Sequence, residues 1–199
     1  MPQGERRGTE VDLFDFTYDG KVKDDYLTDG LGQLTDGAEG HSNFRLDPDS
    51  WGKKGYEWVG WKNDTIDRPP IEIIFEFEKV RNFSAARFHC NNMFSKEVRV
   101  FRRAVLYFSA AGRDAYQERI VVYEYMRDTL IEFARNVIVP IPHRVARFIK
   151  VELYFDARWM MISEIRFESG KRARFELQVF LFLCLLVSIA FLVMMHTIC

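Results

Sequence analysis

One octapeptide constrains this chain more than any other. Ile71-Glu72-Ile73-Ile74-Phe75-Glu76-Phe77-Glu78 puts Ile71, Ile73, Phe75 and Phe77 on one face of an extended segment and three glutamates on the other. A period of two is the mark of a half-buried strand. The alternation returns at 149–155 and, less cleanly, at 98–108, 120–125 and 162–167. Only 128–135 reads as helical, and it is too short to cross over between parallel strands. Pro69-Pro70, Pro140 and Pro142 are expected to bound strands rather than sit inside them. Before residue 55 the chain is dense in turn signals: Asp19-Gly20, Asp29-Gly30, Gly32, Asp36-Gly37 and Gly40. There is no internal repeat. These patterns predict an all-β, antiparallel β-sandwich or jelly roll over residues 11–170, with residues 1–10 disordered.

A second feature is of another kind. Residues 177–198 read LQVFLFLCLLVSIAFLVMMHTI, without a charge and with only Gln178, Ser188, His196 and Thr197 polar. About 20 such residues suffice to span a bilayer. A transmembrane helix is therefore expected over 177–199, behind a basic juxtamembrane linker at 171–176. Lys171, Arg172 and Arg174 on that flank would by the positive-inside rule favour a cytoplasmic N-terminal side. An extracellular domain requires the opposite, and no residues beyond Cys199 supply a competing charge. The start MPQGERRGTEVD has no apolar run to serve as a secretion signal. Both ends are accordingly expected to be those of a fragment of a longer receptor.

Composition excludes more than it selects. The 28 Lys and Arg balance 29 Asp and Glu, so no global field draws in nucleic acid, and none is expected as a partner. Of three cysteines, Cys184 and Cys199 lie in the apolar run, leaving Cys90 without a disulfide partner in the folded part. No zinc spacing exists among His41, His89, His143 and His196. His89 and Cys90 are strand neighbours, point to opposite faces, and cannot form a nucleophilic dyad. Cys90 is read as buried and structural. Glu72, Glu76 and Glu78 are solvated acids with no cleft partner. No catalytic constellation is left, and the chain is expected not to be an enzyme.

Gly30-Leu31-Gly32-Gln33-Leu34-Thr35-Asp36-Gly37 has no Walker lysine and no strand-to-helix switch around it, so it is not a phosphate loop. Turns carrying Asp and Gln oxygens can hold a hard cation such as calcium. Asn63-Asp64-Thr65 and Asn82-Phe83-Ser84 are glycosylation sequons at the edges of predicted strands. Trp51, Tyr56, Trp58 and Trp61 cluster in WGKKGYEWVGW; Trp61 is read as core, and Trp51 stays open between core and an exposed spike.

Six phrases in order carry a resemblance: Thr17-Tyr18-Asp19-Gly20; the glycine-rich loop from Gly30 to Gly37; Tyr56-Glu57-Trp58-Val59-Gly60-Trp61; Ile74-Phe75-Glu76-Phe77; His89-Cys90-Asn91-Asn92-Met93-Phe94; and Trp159-Met160-Met161-Ile162-Ser163-Glu164-Ile165. Over about residues 12–169 the chain resembles the discoidin-like domain of discoidin domain receptors, a galactose-binding-like fold. The resemblance implies collagen-activated receptor tyrosine kinases of the plasma membrane, single-pass, with the sandwich outside. It also implies that collagen binds a separate discoidin domain, absent here like the kinase, and that a receptor homodimer is among the partners. It implies a calcium site at Phe14, Gln33, Asp36, Tyr56, Trp58, Ser163 and Glu164. Asp36 and Glu164 would supply charge and Gln33 an amide oxygen, whereas Phe14, Tyr56 and Trp58 could give only main-chain carbonyls. Glycans at Asn63 and Asn82 are implied as well. Relatives carry a cysteine pair near Leu106 and Val151, both apolar here, and a longer juxtamembrane stretch. The competing expectation is a carbohydrate- or phospholipid-binding jelly roll that works through aromatic spikes.

Overall fold

In the computed structural model, the described residues are 6–7, 10–11, 21–23, 26–28, 32–46, 57–63 and 70–170. The predicted membrane helix and basic linker, together with Phe14, Trp51 and Tyr56, lie outside them. Among the described residues no helix is long and apolar enough to cross a membrane. Ten strands are found in them: β1 (Arg6–Arg7), β2 (Glu10–Val11), β3 (Lys21–Lys23), β4 (Tyr26–Thr28), β5 (Val59–Lys62), β6 (Ile71–Cys90), β7 (Arg103–Ser109), β8 (Val121–Glu124), β9 (Arg135–Tyr154) and β10 (Trp159–Gly170). β1 pairs with β2 inside the stretch read as disordered, and β3 pairs with β4. Such two-stranded ribbons need only backbone donors and acceptors, so polar composition does not forbid them.

The other six strands form one sheet in the order β5-β10-β6-β9-β7-β8, in which β5 and β10, β6 and β9, β9 and β7, and β7 and β8 run antiparallel. The all-β, antiparallel expectation holds, and among the described residues these six strands form a single hydrogen-bonded sheet. The reason lies in β6 and β9, each 20 residues long. Ile71–Glu76 of β6 pairs with Phe148–Leu153 of β9, and Arg81 onward pairs with Ala146 and the residues before it. Register slips between Glu76 and Arg81 and again between Phe83 and Ala85. Bulges of this kind bend a strand and add twist. Both long strands continue through the bend, and their two halves face one core. Phe75 and Phe77 of the first half meet Phe167 of β10 edge-on, at ring-centroid distances of 4.8 and 5.4 Å.

Three expectations are corrected. Pro140 and Pro142 lie inside β9 rather than at its ends. They occupy the bulge, where Phe83 pairs with Arg144 and Ala85 with Pro140, so a ladder donor is not needed of them. His143, in the same bulge, has φ of 49°. Residues 128–135 are not helical: the carbonyls of Asp128 and Ile131, which a helix would turn onto its own N–H groups, instead accept from Asn92 Nδ2 at 3.2 and 3.5 Å, and that of Ile131 also from Arg135 Nη2 at 2.9 Å. Finally, β6 runs through the second sequon, so Asn82 sits half-buried within a strand, not at its edge.

The core is aromatic and aliphatic, with Phe83, Phe88, Phe101, Phe108, Leu106 and Ile149 fully buried. Leu106 and Val151 are direct cross-strand partners, both without exposed surface. Cys90 is buried, and burial pushes its thiol pKa far up. Trp61 is partly buried against this core. Trp58 is wholly buried in a smaller cluster with Val98 and Met161. Glu72 pairs with Lys150, and Glu76 with Arg113 and Arg147, on the exposed side of the sheet.

Candidate functional site

Strands normally alternate buried and exposed side chains, but Met160–Ile165 of β10 is buried at all six positions. Both faces of β10 are covered there. The cover is the segment following a 3₁₀ turn at Gly32–Thr35, the glycine-rich loop of the sequence. Gly32 and Gly37 adopt φ of 51° and 87°, a left-handed region that favours glycine.

Three backbone groups of the loop bond side chains at Ser163, Glu164 and Arg166. Gly37 N–H donates to Glu164 Oε2 at 3.1 Å, and Gly40 N–H donates to Ser163 Oγ at 2.9 Å. Arg166 donates from Nη2 to the Gly37 carbonyl at 2.7 Å and from Nε to Glu164 Oε1 at 3.1 Å. Gly40 is there for want of a side chain: a Cβ would stand 2.6 Å from Cε2 of Trp58. The indole in turn donates to the His41 carbonyl at 3.2 Å and stacks on the His89 ring, centroids 5.3 Å apart.

His89 lies 2.6 Å from Ser163 Oγ through Nδ1. Its Nε2 approaches Glu39 Oε2 to 3.7 Å, an ion pair only if the ring is charged. Burial outweighs the Glu39 field, and Arg166 opposes charge too, so the His89 pKa is lowered. The neutral ring is the form this contact holds. Glu39 also meets Arg166 at 3.3 Å and accepts from Asn136 at 3.2 Å.

Glu164 behaves oppositely. Burial raises its pKa; the Gly37 N–H and Arg166 oppose this without cancelling it, and the negative field of Asp36 adds to the rise. Asp36 caps its own turn, its Oδ1 accepting Ala38 N–H at 2.8 Å. Four of the seven residues implied as calcium ligands are therefore described with side chains. Asp36, Ser163 and Glu164 come together; Trp58 stands beside them through Gly40. Gln33 lies in the 3₁₀ turn, while Phe14 and Tyr56 fall outside the described residues. Among the described residues no three His, Cys, Asp or Glu side chains cluster as a metal site. The donor set is nonetheless all oxygen, with two carboxylates in each other's field, and that chemistry fits a hard cation completed by carbonyls. Glu39, Gly40, His89 and Arg166 were not singled out from sequence as parts of this site. Of these only His89 lay in a phrase that carried the resemblance. Of the sequons, Asn63 is partly exposed at the end of β5, and Asn82 has a buried Oδ1 without a partner.

A family model described as the DS-like domain of discoidin domain-containing receptor 1/2 matches residues 1–169. The chain belongs to the discoidin domain receptor family. The matched part is its DS-like domain, a non-catalytic module. The chain is 33% identical to discoidin domain-containing receptor tyrosine kinase B of Caenorhabditis elegans, over 80% of its own length and 19% of that protein. It is 35% identical to epithelial discoidin domain-containing receptor 1 of Homo sapiens, over 80% of its length and 17% of that protein. The chain thus spans no more than about a fifth of these receptors. Among solved structures, GH31 CBM32-2 bound to GalNAc matches at a TM-score of 0.40 and 15% identity, over 71% of this chain and 88% of that one, a likeness too slight to carry weight.

Proposed function

We propose that this DS-like domain is the calcium-holding spacer of a single-pass discoidin domain receptor, outside the plasma membrane, glycosylated at Asn63 and Asn82. In this reading residues 177–199 span the bilayer, collagen engages a separate discoidin domain, and receptors pair as homodimers. The domain sets the distance and orientation between ligand-binding domain and membrane.

One observation carries the calcium part. Glu164 is buried and uncomfortable as an anion, next to a second carboxylate, at the point where the loop joins β10. Asp36, Ser163 and Glu164, with the amide of Gln33 and carbonyls of Phe14, Tyr56 and Trp58, would hold the ion. Bound calcium would add to the positive charge that Arg166 alone brings to Glu164, and would offset the field of Asp36. Arg166 and the N–H groups of Gly37 and Gly40 already hold the loop on β10, so the ion would reinforce an existing fastening.

The test is thermal denaturation of the full chain in neutral detergent, with millimolar calcium or with EDTA. At a hundredfold excess over Kd the gain is about 2.7 kcal/mol, or roughly 5–10 °C. Asp36→Ala should abolish the shift, and Phe14→Leu should leave it intact because only a carbonyl is used there. Equal melting temperatures in calcium and EDTA, with no calcium in the purified protein, overturn the site.

A further inference from the structure

The near-neutral total charge conceals a segregated one. Between Lys96 and Arg103, KEVRVFRR holds four cations against one acid. Arg103 is the cross-strand partner of Tyr154, and its guanidinium lies over that ring at 5.5 Å; Arg102 lies over it at 6.0 Å. Arg102 N–H also donates to the Tyr154 carbonyl at 2.9 Å. Arg99 lies over Phe94 at 5.5 Å, and its backbone N–H bonds the Trp159 carbonyl at 3.1 Å, which brings Arg158 alongside. The apolar residues interleaved with the arginines, Val100, Phe101 and Ala104, are buried. What remains is a group of guanidiniums, three of them over aromatic rings, with Arg158 beside them.

Their charge is poorly spent within the protein. Among the described residues no carboxylate stands within ion-pair distance of Arg99 or Arg102, and Arg99 Nη1 is buried without a partner. Arg103 and Arg158 reach Glu124 and Glu97 only at 3.4 Å, and both acids are about two-thirds exposed. Such pairs are worth little and yield readily to a better anion. The buried carboxylate nearby, Asp156, is taken by Arg127.

We propose that Arg99, Arg102, Arg103 and Arg158, arrayed around Tyr154, form a docking surface for a sulfated polysaccharide. Guanidinium forks match sulfate and carboxylate groups two bonds at a time, and stacking holds them ready. An extended array of cations suits a linear polyanion rather than a compact ligand. The same array without exposed apolar side chains between its members does not suit insertion into lipid. The proposal rests on the extracellular part of the reading above and is independent of calcium.

The experiment is chromatography of the full chain in neutral detergent on immobilised heparin, run in calcium and in EDTA, with elution by NaCl. The expected result is retention above 0.15 M NaCl in both buffers. Arg102→Glu with Arg158→Glu should elute in the wash, its binding weakened about a hundredfold and its log-affinity against log-salt slope lowered by about two. Lys79→Glu with Arg81→Glu, the same charge change placed at the β6 bulge, should be retained like the parent. Melting temperatures verify that both pairs fold. Failure of the parent to be retained, equal retention of the Arg102/Arg158 pair, or equal loss in the Lys79/Arg81 pair overturns the surface. So does equal binding to fully desulfated heparin, or tighter binding to phosphatidylserine vesicles than to heparin.

Discussion

Gly40→Ala should be among the most damaging single changes in the loop, although one carbon is added. Gly40 has no positive φ, so the cost is not one of backbone conformation. The new Cβ would sit 2.6 Å from Cε2, 2.7 Å from Nε1 and 3.0 Å from Cζ2 of Trp58. Trp58 has no exposed surface and is wedged between Gly40 and the His89 ring, so it cannot swing away. Overpacking of this kind costs about 1–3 kcal/mol. If the loop lifts instead, the bond from Gly40 N–H to Ser163 Oγ is lost, at roughly 1 kcal/mol. By either route about 1–3 kcal/mol, or a fall in Tm of roughly 3–10 °C, is expected. Trp58→Phe removes the ring atoms that clash and costs stability on its own by leaving a void. Combined with Gly40→Ala, it should cost at least 1 kcal/mol less than the sum of the two. Differential scanning calorimetry of the four proteins measures this coupling. Additive losses would refute the idea that the indole excludes a side chain at position 40.

Other outcomes follow from single groups. Because the folded-state pKa of Glu164 is raised, its protonated form favours the fold, and that contribution is lost as pH rises through the folded pKa. In EDTA, the stability of the parent relative to Glu164→Gln should therefore improve as pH falls from neutrality toward the ordinary carboxylate range; a difference independent of pH refutes the shift. Cys90, in a chain with Cys184→Ser and Cys199→Ser, should resist a thiol reagent at pH 8 until guanidinium is added, then react once per chain. Leu106→Cys with Val151→Cys should oxidise to an intrachain disulfide, detected as a mobility change on reduction. Loop closure of this length is worth roughly 4 kcal/mol, offset by the packing that Leu106 and Val151 give up.

Much of the fold was written in local pattern, and what was missed had a common cause. The alternation that began at Ile71 held in the structure as far as Glu76, because one face of that segment is buried and the other wet. It faded at Phe77, where the bulge breaks the face relation, and so concealed that the same strand resumes and runs to Cys90. Pro140 and Pro142 read as stops for the converse reason, since a proline tolerated in a bulge looks like one that ends a strand. The segment after Asp128 misled because it starts like a capped helix, while its carbonyls are taken by Arg135 and by Asn92, a residue far off in sequence. At the site, Asp36, Ser163 and Glu164 were placed together by resemblance, not by spacing, because they meet only through the long-range covering of β10. Arg166 carried no signal: a lone arginine on the outer face of a strand is ordinary until the Gly37 carbonyl is found at its tip.

The place of β10 in the sheet has a mechanical consequence. β10 is interior, held by β5 on one side and β6 on the other, and its last residue is Gly170. A tug applied at Gly170 along the strand loads the hydrogen bonds to β6 in shear, many at once, instead of unzipping them one by one as at a free edge. The bonds to β5, at Trp159–Ile162, share the load at the far end of the strand. Since β6 continues unbroken into the other half of the sheet, tension reaching it spreads through the whole domain. The strand that carries Ser163, Glu164 and Arg166 is thus also a stiff cable, with the loop contacts midway along it, between the pulled end and the bonds to β5.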